Sequence, residues 1–415
     1  MLNPRLDDLP GYPFARLRAL LGDVAPAANI APMIMSIGEP QHAPPPFVAD
    51  VLAKSAEGWA KYPLLRGTPE FRRAVADWLT RRFALPQGFI VAEDNLLPVA
   101  GTREAIYMFA SIAIARKDEG ARPLVLVPNP LYHVYAGAAQ MAGADPLFVP
   151  AARDSGFLPD YLALPDDVWA RTALVYLCAP ANPQGVLAGK AYLTALIEKV
   201  MAHDAILAVD ECYSEIYDRE KPVGILEACA GLDGQRGGAE AARALDHVVV
   251  FNSLSKRSSS PGLRSGFIAG GKRLIAAFAK LRDFASSATP LPIIAAATEL
   301  WRDEIHVDES RARYRAKFDL AERALGGRFG AVRPAGGFFL WLDTARAGLG
   351  NGKESGGEAV ARRLWQRAAI RTLPGAYLCP EDKTGPGADF LRVALVHDEA
   401  LLAEALPRFA AALSD

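Results

Sequence analysis

The sequence has little cysteine and no pairing pattern among the few cysteines that it has. Cys178, Cys212, Cys229 and Cys379 are spread over 415 residues, without a CxxC spacing or a neighbouring histidine cluster. Disulfide frameworks and zinc sites depend on such spacings, so we expect neither disulfides nor a bound metal. Cys178 and Cys212 lie within or beside apolar runs, where a buried thiol acts as a small hydrophobic side chain.

An excess of charge of either sign is also absent. The chain carries 46 Lys and Arg against 47 Asp and Glu, a formal net charge of −1. Surfaces that bind nucleic acid are normally strongly basic, and no basic or acidic tail is present. We therefore expect small-molecule ligands and no nucleic-acid partner.

Long hydrophobic runs are lacking as well. The longest, such as 205–209 and 336–342, have the length of a strand, whereas a membrane-spanning helix needs about 20 apolar residues. The N-terminus carries Asp7 and Asp8 and no apolar segment of the kind found in secretion signals. The sequence predicts a cytoplasmic protein with no membrane partner.

The composition is that of a chain with large cores, since 51% of the residues are hydrophobic. In the middle of the chain, short apolar runs alternate with helical patterns such as 102–114 and 190–201. The predicted strands are 124–127, 173–177, 205–209, 247–251 and 266–269. Continuous apolar strands joined by helices are typical of an α/β domain whose central sheet is mostly parallel. The loops at the strand ends are expected to hold the ligand.

The two ends of the chain differ from this middle part. The first forty residues are rich in proline and are predicted to form an extended arm without a helix. An amphipathic helix follows from Thr68 and Pro69. Beyond about residue 285, longer charged helices (308–325, 358–369) and strands (337–342, 370–373, 390–396) indicate a smaller α+β domain.

These patterns divide the chain into three parts. Residues 1–45 are predicted to form an N-terminal arm that joins the small domain, residues 46–284 the large domain, and residues 285–415 the small C-terminal domain. The Gly-rich segments 231–240 and 348–357 are predicted to be flexible surface loops, with a phosphate-binding role as the less favoured alternative.

The segment 247–270 holds the most informative group of residues. A predicted strand leads into Ser253-Leu254-Ser255-Lys256, and Arg264 follows shortly after. Hydroxyls and an arginine beside a lysine suit an amine that forms a Schiff base next to a bound phosphate. The serines and Arg264 would bind the dianion, and the cationic surroundings would lower the lysine pKa. The alternative is an ordinary basic loop after a strand.

Asp210 lies at the end of the strongly apolar strand 205–209. A carboxylate there is desolvated and needs a cationic partner, for which a protonated pyridine nitrogen would serve. Such a pair makes the ring an electron sink. The alternative is that Asp210 caps the next helix.

Two further strand ends carry candidate ligand-binding residues. Asn182 lies in Ala179-Pro180-Ala181-Asn182-Pro183, where it could donate a hydrogen bond to a ligand oxygen or simply form a turn. Gly101 precedes the helical pattern that begins at Thr102, and backbone amides at such a helix start suit a phosphate. Ordinary helix capping is the alternative for Thr102.

Five motifs follow one another along the chain: Gly-Thr, Asn-Pro, Asp-x-x-Tyr, Ser-x-Ser-Lys and Arg. With these motifs in this order, the whole chain resembles the class I/II aminotransferases. This resemblance implies pyridoxal 5′-phosphate as cofactor and the α/β fold type I of pyridoxal-phosphate enzymes. The fold comprises a large domain with a mostly parallel central sheet and a small α+β domain. The resemblance also implies a homodimer with active sites at the interface.

The resemblance also assigns roles to individual residues. Lys256 matches the lysine that holds the cofactor and moves a proton at the substrate Cα. Asp210 matches the partner of the ring nitrogen, and Asn182 and Tyr213 match the pair that binds the ring oxygen. Tyr132 resembles the aromatic residue that stacks on the ring, with plain packing as the alternative. The residues matching the phosphate site are Gly101, Thr102, Arg103, Ser253, Ser255 and Arg264, with Tyr62 from the neighbouring subunit.

Substrate recognition is implied at three positions. Arg392 interrupts an apolar strand and matches the residue that clamps the substrate α-carboxylate bidentately, assisted by Gly38 and Asn182. Gln184 departs from the family, whose members usually have threonine there; this departure affects only the local turn. For a distal carboxylate, Arg66, Arg257 and Arg333 are unranked candidates.

Within the family, the strings 3–6, 12–14 and 36–40, and particularly 251–258 with 261–267, are most similar to bacterial succinyldiaminopimelate aminotransferases. Those enzymes transfer an amino group from glutamate to N-succinyl-2-amino-6-oxopimelate in lysine biosynthesis. The alternatives are an aspartate- or alanine-type aminotransferase, or a β-lyase with the same cofactor. A non-catalytic regulator that senses the cofactor is disfavoured, because no helix-turn-helix pattern precedes the α/β domain.

Overall fold

A computed structural model describes residues 2–9, 11–114, 121–232, 238–285, 288–345, 355–380 and 385–414. The strands are β1 (Met33–Ile34), β2 (Leu96–Val99), β3 (Leu124–Asn129), β4 (Asp145–Pro150), β5 (Thr172–Cys178), β6 (Ile206–Asp210), β7 (Val248–Ser253), β8 (Gly266–Gly270), β9 (Phe339–Asp343), β10 (Ile370–Arg371), β11 (Leu373–Pro374) and β12 (Phe390–Ala394).

The α-helices of these described ranges join the strands and flank the sheets. They are Pro13–Leu21, Phe47–Lys54, Pro69–Phe83, Thr102–Ala113, Val134–Met141, Asp166–Arg171, Lys190–Ala202, Ile225–Gly231, Gly238–Leu245, Leu254–Arg257, Lys272–Ala285, Leu291–Arg302, Ile305–Leu325, Gly356–Ala368 and Glu399–Ala412. In the described part of the chain, no helix is both long and apolar enough to cross a bilayer.

The central sheet has seven strands in the order β2-β8-β7-β6-β5-β3-β4. Strands β3 to β7 run parallel, and β8 is antiparallel to both of its neighbours. Strands β3, β5 and β7 are buried along their whole length because helices cover both faces. The predicted α/β fold with a mostly parallel sheet is confirmed, and the five predicted strands of the middle region are all present.

Two hydrophobic cores flank this sheet. One contains Trp78, Leu193 and Trp301, and the other contains Ile106 and Phe278. The rings of Trp78 and Trp301 are 4.8 Å apart, which fixes the helix Leu291–Arg302 against the helix Pro69–Phe83. This packing assigns Leu291–Arg302 to the large core, so we propose that the domain boundary follows residue 302 instead of lying near 285.

The small domain has its own antiparallel sheet, β11-β12-β9. Its core joins Phe318, Leu364 and Phe409 with Met33 and Met35 from the N-terminal segment. Strand β1 of that segment pairs in parallel with β10. Both ends of the chain therefore contribute to one core, an arrangement that supports the proposed arm of residues 1–45.

The prediction that the arm contains no helix is wrong. Pro13–Leu21 is helical, and its Leu17 and Leu21 pack against Tyr377 and Leu378. Pro13 occupies the first helical position, where its missing N–H is not needed and its fixed φ favours the helix. Proline therefore begins a helix here and does not exclude one.

The predicted Gly-rich loops are helical at their ends. Gly231 ends one helix and Gly238 begins the next, while Gly356 begins a helix whose first turn is closed by the capping box of Ser355 and Glu358. Residues 233–237 and 348–354 of these segments lie outside the described residues. The predicted strand 370–373 is divided between β10 and β11, which belong to different sheets.

Candidate active site

Four strands end at one edge of the central sheet, each followed by a residue with a functional side chain. The strands β3, β5, β6 and β7 lead to Tyr132, Asn182, Asp210 and Lys256. Because parallel strands present their carboxyl ends at the same edge, these side chains meet in one pocket. The predicted residues that line this pocket are Gly38, Thr102, Arg103, Tyr132, Asn182, Asp210, Tyr213, Lys256 and Arg392.

Asp210 is buried on the floor of this pocket. Its Oδ2 accepts a hydrogen bond from the hydroxyl of Tyr135 at 3.1 Å, and its Oδ1 accepts one from the amide of Cys212 at 3.2 Å. The residues that follow form turns, so Asp210 does not cap a helix. Burial raises its pKa. No cation of the described residues lies within ion-pair distance of this carboxylate, which leaves it suited to a cationic ligand group.

Lys256 lies in the short helix Leu254–Arg257 after β7, and its Nζ donates a hydrogen bond to the carbonyl oxygen of Gly38. Burial lowers the pKa of Lys256 to about 8, with the charge of Arg392 as a further cause. Loss of hydration is a larger cause of this lowered pKa than the surrounding cations, to which the sequence analysis assigned it. The amine is thus a stronger nucleophile near neutral pH than an exposed lysine.

Arg392 enters the pocket from β12, with 6% of its surface exposed. Its Nη1 donates to the side-chain oxygen of Asn182 at 3.3 Å, and its Nη2 donates to the carbonyl oxygen of Ser36 at 2.8 Å. Burial lowers the pKa of Arg392 to about 10. Both partners are uncharged, and no described carboxylate lies within ion-pair distance. A buried guanidinium in this state is suited to a ligand carboxylate.

Asn182 connects Arg392 to Tyr213. Its Nδ2 lies 3.5 Å from the Tyr213 hydroxyl, while its Oδ1 accepts from Arg392. The ring of Tyr213 is held edge-on against Phe338 and Phe339. The amide and the phenol are therefore close enough to bind a single oxygen atom of a ligand.

A cradle of hydrogen-bond donors, formed by residues of the predicted phosphate site, lies where the helix Thr102–Ala113 begins. Gly101 has a φ of +94°, and a Cβ there would approach Nη2 of Arg264 to 2.2 Å, so only glycine fits. The Arg264 guanidinium donates to the carbonyl oxygen of Ala100 at 3.3 Å. Nearby, the hydroxyls of Ser253 and Ser255 are 2.8 Å apart. A guanidinium, hydroxyls and helix-start amides are the donors that a phosphate requires.

Two residues predicted at this cradle direct their side chains elsewhere. The hydroxyl of Thr102 contacts the sulfur of Cys212 at 3.2 Å. Arg103 donates from Nε to the Tyr132 hydroxyl at 2.7 Å and also interacts with the hydroxyl of Tyr12. The Arg103 guanidinium thus lies at the pocket mouth, and only its backbone is available to the cradle.

The remaining predicted residues lie outside the pocket. Tyr62 is 100% exposed, and its role for a neighbouring subunit stays a prediction.

The three arginines proposed for a distal carboxylate have other partners or positions. Arg257 is buried and donates to the carbonyl oxygen of Leu300 and to Glu304, both at 2.6 Å. Arg333 forms ion pairs with Asp218, Asp319 and Glu322, and Arg66 lies on another part of the surface. None of these three arginines lines the pocket.

Sequence reasoning missed several residues of the pocket. Tyr135 binds Asp210, Phe339 lies 4.5 Å beneath the Arg392 guanidinium, and Tyr12 and His133 meet edge to face at the mouth. Tyr135 and His133 could have been found from their position beside Tyr132. Phe339 and Tyr12 carry no local signal, because only long-range packing brings them to the pocket.

Comparisons with known proteins agree with this geometry. The pattern of the family described as "Aminotransferase class I and II" matches residues 31–409. The chain is 30% identical to an LL-diaminopimelate aminotransferase of Nitratidesulfovibrio vulgaris (strain DSM 19637 / Miyazaki F), covering 99% of this chain and 98% of the relative. It is 28% identical to the enzyme of the same name from Maridesulfovibrio salexigens, with 98% of each chain covered.

Solved structures are similar over the same length. An aminotransferase from Neisseria meningitidis Z2491 superposes with a TM-score of 0.89 at 36% identity, covering 99% of both chains. The aminotransferase AspB from Helicobacter pylori 26695 superposes with a TM-score of 0.83 at 33% identity, covering 97% of this chain and 98% of that one.

Proposed function

Because the chain belongs to the class I and II aminotransferases, which use pyridoxal 5′-phosphate, we propose that its substrates are glutamate and N-succinyl-2-amino-6-oxopimelate. The second candidate is LL-diaminopimelate, after which the two relatives described above are named. The two candidates share a seven-carbon dicarboxylate skeleton. The reacting carbon carries an oxo group in the first and an amino group in the second, and the distal amine is acylated in the first and free in the second. Either substrate would place the enzyme in lysine biosynthesis.

The pocket can hold the cofactor with the groups already described. Lys256 is the point of attachment, Asp210 the partner of the ring nitrogen, and Asn182 with Tyr213 the partners of the ring oxygen. The cradle of Gly101, Thr102, Ser253, Ser255 and Arg264 would hold the phosphate, and Tyr132 would contact the ring. When bound, the cofactor supplies an electron sink that stabilises negative charge at the substrate Cα.

Lys256 is the proton carrier at Cα. With a pKa lowered to about 8, its Nζ accepts the Cα proton of the amino donor and delivers a proton to the Cα of the product amino acid. Arg392 binds the α-carboxylate that all substrates share, and the neighbouring Asn182 fixes the guanidinium plane. The shared carboxylate site allows the two half-reactions to use the same pocket in turn.

The distal part of the substrate is proposed to lie at the pocket mouth beside Arg103. Its guanidinium is held by Tyr132 and Tyr12, and it is the described lining cation that neither the cofactor nor the α-carboxylate engages. Burial lowers the pKa of the adjacent His133 to about 4, so this ring is neutral at pH 7. Arg103 is therefore the proposed partner of a distal carboxylate, in place of Arg66, Arg257 and Arg333.

One observation favours the acylated substrate over the free diamine. Among the described residues of this chain that line the pocket, Asp210 is the only carboxylate, and it faces the cofactor ring. A free distal ammonium would find no acidic partner among the other described lining residues, which include the apolar Phe14, Leu131 and Leu378. An acylated amine carries no charge, and its succinyl group adds a carboxylate that Arg103 can bind.

The proposal is tested by half-reactions of the purified holoenzyme. Glutamate and N-succinyl-LL-diaminopimelate are expected to bleach the visible absorbance of the lysine-bound cofactor, with kcat/KM for the succinylated compound at least about tenfold above that for LL-diaminopimelate. The reverse preference would assign the second candidate. Preference for aspartate or alanine, or release of pyruvate, would contradict both and indicate another aminotransferase or a β-lyase.

A homodimer is proposed on the basis of the exposed apolar segment around Tyr62. Trp59, Tyr62 and Leu64 expose 57%, 100% and 74% of their surfaces within six residues of chain. A second copy covering this segment would bring Tyr62 towards the phosphate of its neighbour. Sedimentation equilibrium of the protein and of a Trp59→Glu, Leu64→Glu variant tests the proposal, with dissociation expected only for the variant.

A further inference from the structure

Tyr135 makes a contact that the mechanism above does not use. Its hydroxyl donates to Oδ2 of Asp210 at 3.1 Å, with 1% of the Tyr135 surface exposed. The other described hydrogen bonds to this carboxylate come from the amide and the thiol of Cys212. Of these donors, the Tyr135 hydroxyl is a phenol that substitution by phenylalanine can remove without altering the backbone.

The position of the Tyr135 hydroxyl is fixed by aromatic packing. Its ring stacks on Tyr176 with centroids 4.7 Å apart and planes 14° from parallel. The edge of Tyr132 meets it at 5.6 Å and 86°. Tyr176 is in turn fixed by a hydrogen bond from its hydroxyl to the carbonyl oxygen of Ile106 at 2.8 Å. The phenol is thus preorganised towards Asp210 and cannot rotate away without disturbing the core.

We propose that Tyr135 is a positioning residue that keeps Asp210 ionised and oriented for the protonated ring nitrogen of the cofactor. The phenol O–H binds a carboxylate more strongly than a neutral carboxylic acid, so it opposes the effect of burial on Asp210. This inference depends on the proposed pairing of Asp210 with the ring nitrogen and not on the choice of substrate.

The groups that face Asp210 from each packed element are consistent with this role. They are Tyr132 and Tyr135 around the start of the helix Val134–Met141, Cys178 at the end of β5, Cys212 and Tyr213 after β6, and Lys256 after β7. Lys256 is the only cation among them, and it is the proposed point of attachment of the cofactor. Hydrogen bonds therefore stabilise the ionised form of Asp210 until the ring nitrogen arrives.

The test compares Tyr135→Phe with Tyr176→Phe, which removes a buried phenol from the same aromatic stack but not from Asp210. The apoprotein of each variant is titrated with pyridoxal 5′-phosphate and with its 1-deaza analogue, which has C–H in place of the ring nitrogen. Tyr135→Phe is expected to weaken binding of pyridoxal 5′-phosphate about tenfold or more, the effect of losing a hydrogen bond to a charged group, and to leave the analogue unchanged.

The holo variants provide a second measurement. Without a firm carboxylate partner the ring nitrogen loses its proton more readily, and a neutral ring withdraws fewer electrons. The pH at which the visible band titrates is therefore expected to rise in Tyr135→Phe and to stay unchanged in Tyr176→Phe. Equal weakening of both ligands by Tyr135→Phe, or an unchanged affinity and titration, would overturn the proposal. Since no substrate is used, an error in the substrate assignment cannot produce either result.

Discussion

Arg392 of β12 donates a hydrogen bond from Nη1 to the side-chain oxygen of Asn182, 3.3 Å away, and thereby connects the small domain to the loop after β5. The amide nitrogen of the same Asn182 lies 3.5 Å from the hydroxyl of Tyr213. The proposed carboxylate site and the proposed ring-oxygen site thus share one side chain. Binding of the substrate carboxylate to Arg392 is therefore expected to affect, through Asn182, the hydrogen bonding of the ring oxygen of the cofactor.

Replacing Arg392 by glutamine should weaken every substrate that has an α-carboxylate. Loss of a buried, charge-assisted contact is expected to lower kcat/KM on the order of a hundredfold or more, for the amino donor and the acceptor alike. Steady-state kinetics with both substrates measure the effect. Arg333→Gln, which alters an ion-pair network outside the pocket, is the control and should leave kcat/KM unchanged; equal kinetics for the two variants would remove Arg392 from the site.

Replacing Lys256 by alanine should abolish covalent attachment of the cofactor and transamination. The amine is buried and its Nζ points to the carbonyl oxygen of Gly38, so no other described lysine is placed to substitute for it. Absorbance spectra and single-turnover assays with glutamate check this prediction. Lys272→Ala, which removes an exposed partner of Asp94, should retain the visible band; turnover at the wild-type rate by Lys256→Ala would contradict the assignment.

Attachment of the cofactor to the apoprotein should speed up as pH rises through about 8. Only the neutral amine is a nucleophile, and burial lowers the pKa of Lys256 to about 8, so most of the amine is protonated at pH 7. The charge of Arg392 is one cause of the lowering, and the pKa in Arg392→Gln should accordingly move upward. Stopped-flow measurements of band formation between pH 6 and 10 give both values. A rate independent of pH in this range would contradict the assigned pKa.

The fold and the positions of the strand-end residues could be predicted because their signals are local. An apolar run followed directly by Asp210 places the carboxylate at a strand end whatever the rest of the chain does. The same reasoning applies to Asn182 and Lys256, which follow their own strands. Parallel pairing then brings the three ends to one edge, so sequence order was enough to assemble the pocket floor.

Side-chain direction was not predictable in the same way. Arg257 is next to Lys256 in sequence, but neighbours on a helical turn point about 100° apart, and Arg257 is directed into the core towards Leu300. Arg103 likewise follows Thr102 at a helix start, yet its guanidinium extends to Tyr132 and not to the cradle. The directions of these side chains depend on which distant elements pack nearby, and the local sequence does not indicate that packing.

Replacing Arg103 by methionine should selectively weaken substrates that carry a distal carboxylate. Methionine keeps the length and the apolar stem of the side chain but removes the charge at the pocket mouth. We expect KM for the acceptor N-succinyl-2-amino-6-oxopimelate to rise about tenfold or more, the effect of losing one charge-assisted contact. Activity with alanine, which lacks a distal group, should change little.

The control for Arg103→Met is Arg122→Met, which removes an exposed partner of Asp145 outside the pocket. If Arg103→Met lowered activity equally with alanine and with N-succinyl-2-amino-6-oxopimelate, its effect would lie on the cofactor and the distal assignment would be wrong. Measuring the dissociation constant of pyridoxal 5′-phosphate for the variant separates the two possibilities directly.

Lys317 is a fully buried lysine at the junction of the N-terminal segment and the small domain. Its Nζ lies 2.8 Å from Nε2 of His42 and donates to the carbonyl oxygen of Val396 at 3.1 Å. Burial lowers the pKa of Lys317 from 10.5 to about 7. The unfolded chain thus binds more protons than the folded one between these two values, so the free energy of unfolding should rise with pH across this interval.

In a Lys317→Met variant, this rise should be smaller. Lys256 of the apoprotein contributes in the same direction, since its pKa is also lowered, to about 8, and Lys256→Met therefore serves as the comparison. Urea unfolding of the wild type and the two variants, each at pH 7 and pH 9.5, separates the contributions. If Lys317→Met retained the wild-type pH dependence, the folded-state pKa of Lys317 would not be lowered, and the buried amine would be charged throughout. The carbonyl oxygen of Val396 and the ring of His42 would then be sufficient to stabilise a buried cation.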